Sequence, residues 1–265
     1  MRLTVLGTGT ARPVAETAAS GILVQTSTTA VLFDIGSGIA ARLEASIGAA
    51  RLDGLVVGHM HADHWIDIAP LRYRFPWGDT SEQLLPVRLP PGGKDRLEHL
   101  TIVMSERPGF FEAAFAVSEY SEGVGFQIGD LTIRPHSVGH YVPAWSMEIT
   151  GPTGERVIYA GDMGPSDDIV ELARGAELLI LEATLDTNEF DDLKRGHLTA
   201  EEAVDHALRA GVPRTILVHY PIERLEAIRA ICAPTDGRVL PALPRMEIEV
   251  VAGGTPLVAT PDRRS

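Results

Sequence analysis

An α/β (α+β) fold, with two sheets packed together and helices on the outside, is predicted for this chain by three observations. Short apolar runs rich in β-branched residues recur along its length, each closed by Gly, Pro or Asp. Early runs follow one another through short turns, whereas later ones alternate with helical stretches. No repeat at a fixed period and no linker divides the 265 residues, so one domain spanning 1–265 is expected.

In chain order the strand runs are 3–6, 22–25, 30–33, 55–57, 131–134, 146–149, 157–160, 178–181, 215–218 and 248–251. Helices are expected at 39–47, 97–104, 169–173 and 225–231. A further helix carries its own start and stop signals. Thr199-Ala200-Glu201-Glu202 is a capping box, and Val204, Ala207 and Leu208 then form an apolar stripe that ends before Gly211. Segment 75–93, with prolines at 76, 86, 90 and 91, reads as an irregular excursion, a loop or lid.

Composition narrows the function classes. With 45% apolar and 22% charged residues the chain can bury a large core without staples, so a bound metal would serve chemistry. A net charge of −13 argues against a general nucleic-acid surface, which needs a basic face. The single cysteine, Cys232, rules out an internal disulfide and a C-x-x-C site. The beginning of the chain meets Gly7-Thr8-Gly9 before any apolar run long enough for a signal peptide, and no run is long enough to span a membrane. A cytoplasmic location is expected.

After the run at 55–57 comes His59-Met60-His61-Ala62-Asp63-His64, which places three of the nine histidines within six residues at a strand end. Imidazole and carboxylate donors at this density suit zinc. On an extended segment His59 and His61 point the same way, while Asp63 and His64 follow a turn and can face a second ion. Downstream, His140, Asp162 (after Gly161) and His219 each follow a strand run, so a sheet scaffold can bring them to the same edge.

In this order, His59-x-His61-x-Asp63-His64, His140, Gly161-Asp162 and His219 resemble the metallo-β-lactamase superfamily over nearly the whole chain. The resemblance implies a four-layer αββα sandwich with two Zn2+ ions at the sheet edge, Mn2+ or Fe2+ being alternatives. It implies that His59, His61 and His140 hold one ion and Asp63, His64 and His219 the other, with Asp162 between them. Asp34 matches the early Asp that buttresses the metal loop without ligating.

Leu6-Gly7-Thr8-Gly9-Thr10, Glu182-Ala183-Thr184 and Gly196-His197-Leu198-Thr199 look like the ribonuclease Z-like branch. That likeness implies that His197, supported by Glu182, moves a proton at the phosphorus centre. Two departures stand out: Leu181 occupies the place of a common His, and Met163 that of a common Thr. The tRNA-processing members carry a long basic arm, inserted in many bacterial forms between the third metal His and the bridging Asp. Here only 21 residues separate His140 from Asp162, enough for a hairpin. The resemblance is closer to small phosphodiesterase-like members.

Other residues receive simpler readings. His136 is left out of the metal set as a strand-end hydrogen-bonding residue, and His99 and His206 are read as surface residues. Tyr141 and Tyr220, each next to a predicted ligand, are read first as packing. Trp65, Tyr73, Phe75 and Trp77 form a candidate aromatic wall. Arg72 and Arg74 are the nearest candidates for a phosphate clamp, although a solvated helix face is the simpler reading. Gly7-Thr8-Gly9 is a tight turn, since no P-loop Lys follows.

The function expected is a zinc-dependent phosphodiesterase acting on a small molecule such as a cyclic nucleotide, with Asp63, His197 and Glu182 as catalytic residues. The alternatives are a lactonase or other carboxyl-ester hydrolase and a ribonuclease Z-type endonuclease. The expected partner is a small-molecule substrate, with no nucleic acid and no membrane; homodimerisation is left open.

Overall fold

The computed structural model describes residues 1–75, 84–105, 108–187 and 195–259. Trp77 of the candidate aromatic wall lies outside them. The first strands are β1 (Arg2–Gly7), β2 (Gly21–Gln25) and β3 (Ala30–Phe33), followed by α1 (Ile39–Ser46), β4 (Gly54–Val56), α2 (Ala62–Trp65) and α3 (Ile68–Arg72). Then come β5 (Leu85–Leu89), α4 (Gly93–Ser105), β6 (Phe115–Glu119), β7 (Phe126–Ile128), β8 (Leu131–Val138), β9 (Ala144–Thr150) and β10 (Arg156–Tyr159). The chain continues through α5 (Asp167–Ala173), β11 (Leu178–Glu182), α6 (Ala200–Ala210), β12 (Arg214–Val218), α7 (Leu225–Cys232), β13 (Val239–Pro241), β14 (Glu247–Glu249) and β15 (Leu257–Ala259).

Among the described residues these strands form two sheets, ordered β15-β14-β1-β2-β3-β4-β5-β6 and β13-β12-β11-β10-β9-β8-β7. Central strands are buried on both faces, which explains why their sequences are continuous apolar runs. In β11, Leu178 and Ile180 join the core between the sheets, whereas Leu179 and Leu181 join the core under the outer helices. In β3, Val31 and Phe33 face inward and Leu32 faces the helices of the first sheet. Three apolar layers separate helices, sheet, sheet and helices, the αββα sandwich. Each fully buried Leu in these layers contributes about 1.5–3 kcal/mol.

The capping box at α6 is complete: Thr199 Oγ1 accepts from Glu202 N and Glu202 Oε2 accepts from Thr199 N, and Gly211 ends the helix in the left-handed region. Between His140 and Asp162, β9 and β10 pair as an antiparallel hairpin closed by the turn at 151–155.

Several expectations are corrected. Segment 75–93 contains β5 and the start of α4, so over its described residues it is not an irregular excursion. Pro86 is tolerated because the β4 ladder begins only at Val87, leaving Pro86 paired on the β6 side. Strands β5, β6, β7, β13 and β15 were not expected; most are short or marked by proline, and their pairing is set by neighbours distant in the chain. His206 is buried, not on the surface. Its Nδ1 donates to Glu202 O at 2.7 Å and its Nε2 accepts from Ser166 N at 3.1 Å, which ties α6 to the start of α5. Among the described residues no helix is long and apolar enough to cross a membrane.

Candidate metal centre

Parallel pairing decides where the chemistry gathers. Strands β3 and β4 of one sheet and β10, β11 and β12 of the other end at one edge, the place where open α/β sheets bind ligands. Asp34 follows β3, 59–64 follows β4, Asp162 follows β10, Glu182 ends β11 and His219 follows β12.

The loop from β4 stays extended through His61, and the short α2 then turns Asp63 and His64 away from it. Gly36 permits this packing, since a Cβ there would collide with Asp63 O. Two groups of donors result. His61 Nδ1 lies 3.1 Å from His59 Nε2 and 3.0 Å from His140 Nε2. Asp63, His64, Asp162 and His219 each bring one atom within 4.8 Å of the others. Asp162 Oδ2 sits between the groups, 3.9 Å from His59 Nε2, 3.3 Å from His64 Nε2 and 3.5 Å from His219 Nε2.

Hydrogen bonds on the far side of two of the rings aim their inward atoms. His140 Nδ1 donates to Gly196 O at 2.6 Å and His64 Nδ1 to Asp34 Oδ2 at 2.7 Å, which turns both Nε2 atoms toward the centre. Asp34 is itself held in the left-handed region, at φ 60°. It accepts from Gly58 N at 2.8 Å and from the Tyr159 hydroxyl at 2.6 Å, so it links the metal loop to the opposite sheet. Tyr159 was missed in the sequence; its place three residues before Asp162 was the available signal.

Lone pairs that face one another across about 3 Å without enough protons to pair them are a donor set that fits divalent cations. The electrostatics agree. Burial holds His59 well below the usual imidazole range and lowers His61, and it drops His140 to about 4, so this group remains neutral and able to donate. In the other group burial opposes charge. The His219 and His64 charges outweigh it and hold Asp162 well below the usual carboxylate range, and the His219 hydrogen bond does the same for Asp63. Burial disfavours charge on His64 too, yet Asp162 and Asp34 raise it well above the usual value.

Beside both groups lies His197, whose Nδ1 donates to Glu182 Oε1 at 2.7 Å. Glu182 is fully buried, and its carboxylate also accepts from Met163 N, Leu198 N and Thr184. Burial would lower His197, but the hydrogen bond and charge of Glu182 raise it. Its ring stands 4.9 Å from that of His140 and is stacked at 5.6 Å on that of His219.

The remaining candidates fall outside this constellation or at its rim. His136 bonds Glu148, at 3.2 Å. Tyr220 is core, its hydroxyl donating to Ala242 O, while Tyr141 is 60% exposed with its ring 5.5 Å from that of His197. Trp65 and Phe75 are buried, so of the described members of the aromatic wall only Tyr73 is exposed. Arg72 is neither a clamp nor a solvated side chain. It is buried, donates to Phe110 O and Phe75 O, and lies over the Phe110 ring. Arg74 pairs with Glu44 at 3.6 Å.

The model of the β-lactamase superfamily domain matches residues 29–220, which span the fold's edge from Asp34 to His219. The chain belongs to the metallo-β-lactamase superfamily. By family it is a metallo-hydrolase. Another member of this fold, the YhfI protein of Bacillus subtilis, is 25% identical with a TM-score of 0.82, covering 93% of this chain and 98% of that one. The short form of human tRNase Z is 24% identical with a TM-score of 0.75, covering 95% of this chain and 100% of that one. A diphosphatase of the PhnP family is 18% identical with a TM-score of 0.73, covering 95% and 98%. These superfamily structures share the fold with this chain and include ribonuclease Z-like proteins.

Proposed function

We propose that this metallo-β-lactamase superfamily member hydrolyses a small phosphodiester with two divalent cations, zinc being the natural choice for its imidazole and carboxylate donors. In this reading His59, His61 and His140 hold one cation, Asp63, His64 and His219 the other, and Asp162 lies between them. The cations supply, when bound, a deprotonated water near neutral pH and positive charge against the charge that develops at phosphorus.

The observation that carries the reading is the His197–Glu182 pair. Because Nδ1 is committed to Glu182, Nε2 is the nitrogen left to deliver a proton. Glu182 favours the protonated ring, so His197 is suited to protonate the departing oxygen, the demanding half of diester cleavage when the leaving group is poor. Asp63 is assigned a second task, orienting the nucleophile.

Three features support a small substrate over tRNA: the short β9–β10 hairpin, the net charge of −13, and the engagement of Arg72 inside the fold. The commitment of Arg72 to backbone carbonyls also favours a second reading, a lactonase, since no phosphate clamp is needed there. A panel of cyclic nucleotide, nitrophenyl phosphodiester and lactone substrates separates the two. Turnover of lactones with no phosphodiester cleavage above background would overturn the first reading, and trimming of precursor tRNA at physiological salt would overturn the small-substrate argument.

A further inference from the structure

We propose that Thr184 is a positioning residue whose hydroxyl couples the proton donor His197 to His219, so that one side chain aims both imidazoles. The assignment deepens the function proposed above and rests on its roles for those two residues.

Strand register places the threonine. β11 and β12 run parallel with Glu182 opposite Val218, and Ala183 N donates to Val218 O, so the chain leaving β11 runs alongside the chain leaving β12. Thr184 Oγ1 consequently meets three groups: Glu182 Oε2 at 2.5 Å, His219 Nδ1 at 2.8 Å and His219 O at 2.9 Å. A hydroxyl has one proton to give and two lone pairs with which to accept. The proton goes to the nearest and charged acceptor, the Glu182 carboxylate. A lone pair of Oγ1 then accepts Nδ1–H of His219, and this turns His219 Nε2 toward Asp63 Oδ2, 3.1 Å away inside the metal group.

The continuous path is therefore His197 Nδ1–H to Glu182, Thr184 O–H to Glu182, and His219 Nδ1–H to Thr184. It also answers a strain. His219 has φ 51°, in the left-handed region that a non-glycine residue adopts only when its surroundings hold it there. The bond from its ring Nδ1–H to the Thr184 hydroxyl helps to supply such a hold. The stacked arrangement of the His197 and His219 rings follows, since both are tethered to the same buried carboxylate.

The test compares the full-length wild type with T184V and T184S. Zinc affinity of the metal-free chain is measured by chelator competition, the His219 Nδ1–H hydrogen bond by NMR of the 15N-labelled chain, and turnover with an alkyl phosphodiester. Val keeps the shape but leaves His219 Nδ1–H without its acceptor and removes one of the donors to Glu182 Oε2, so T184V is expected to bind the weaker zinc about 10- to 100-fold less tightly. It is also expected to lose the hydrogen bond at His219 Nδ1–H and to slow the alkyl diester, while T184S restores all three. Zinc affinity and the His219 Nδ1–H signal unchanged in T184V would overturn the assignment, as would failure of T184S to restore them. A wild type that binds zinc but cleaves no phosphodiester overturns the substrate reading alone, because the affinity and NMR comparisons still decide the role of Thr184. A wild type that binds no zinc overturns both.

Discussion

His197 and Glu182, fifteen residues apart in sequence, are joined by a 2.7 Å hydrogen bond at the edge where both sheets present their strand ends. The carboxylate is fully buried, while the imidazole side chain is 16% exposed, so the pair reaches from the core to the rim of the site with Nδ1 turned inward onto Glu182.

This geometry separates proton delivery from metal binding. H197A is expected to retain its metal and to cleave a cyclic nucleotide or alkyl diester about 100-fold more slowly or worse, with a much smaller loss on a nitrophenyl diester, whose leaving group departs unprotonated. Metal analysis alongside steady-state kinetics on both substrates checks this. Equal losses on both would remove His197 from the acid role.

Asp162 should behave differently. Its Oδ2 lies near His59, His64 and His219 at once, and D162A is expected to lose activity together with at least one metal ion. Elemental analysis after zinc reconstitution should give about two ions per chain for the wild type. A wild-type value below about one would rule out a dinuclear centre.

His206 offers a test of stability away from the chemistry. Replacing it with Ala removes an acceptor from Ser166 N and a donor to Glu202 O in a buried setting, and should cost about 1–3 kcal/mol. Urea denaturation measures the loss; a midpoint equal to that of the wild type would contradict the link it makes between α5 and α6.

Glu148 supplies a pH-dependent term. Burial opposes its charge, but hydrogen bonds from Arg156, at 2.6 Å, and His136 lower its pKa in the folded protein. A depressed folded value stabilises the fold above the unfolded carboxylate pKa, and this contribution is lost as pH falls through the folded value. E148Q should therefore be less stable than the wild type at pH 7, by about 1 kcal/mol for a partly screened pair, and the two unfolding curves should converge in acid. A constant difference between pH 7 and pH 3 would show that the charge plays no part.

Much of the site was legible in the amino-acid sequence because its determinants are local. His59, His61, Asp63 and His64 sit within six residues, and His140, Asp162 and His219 each follow an apolar run that reads as a strand. The capping box at Thr199 and Glu202 likewise operates within a single turn of helix. Matters that depend on contacts between distant segments were not legible. The apolar runs look alike whichever face they bury, so neither the pairing of β10, β11 and β12 nor the burial of His206 against α5 could be read from them. The same is true of Arg72, whose guanidinium meets the Phe110 carbonyl 38 residues away, and of Tyr159, which crosses from one sheet to bond Asp34 of the other. The sequence by itself determined which residue types stand at the strand ends; only the tertiary structure decided that Glu182, Thr184, His197 and His219 come within hydrogen-bonding distance of one another, because a hydrogen bond is set by distances of a few tenths of an ångström that depend on the packing of both sheets.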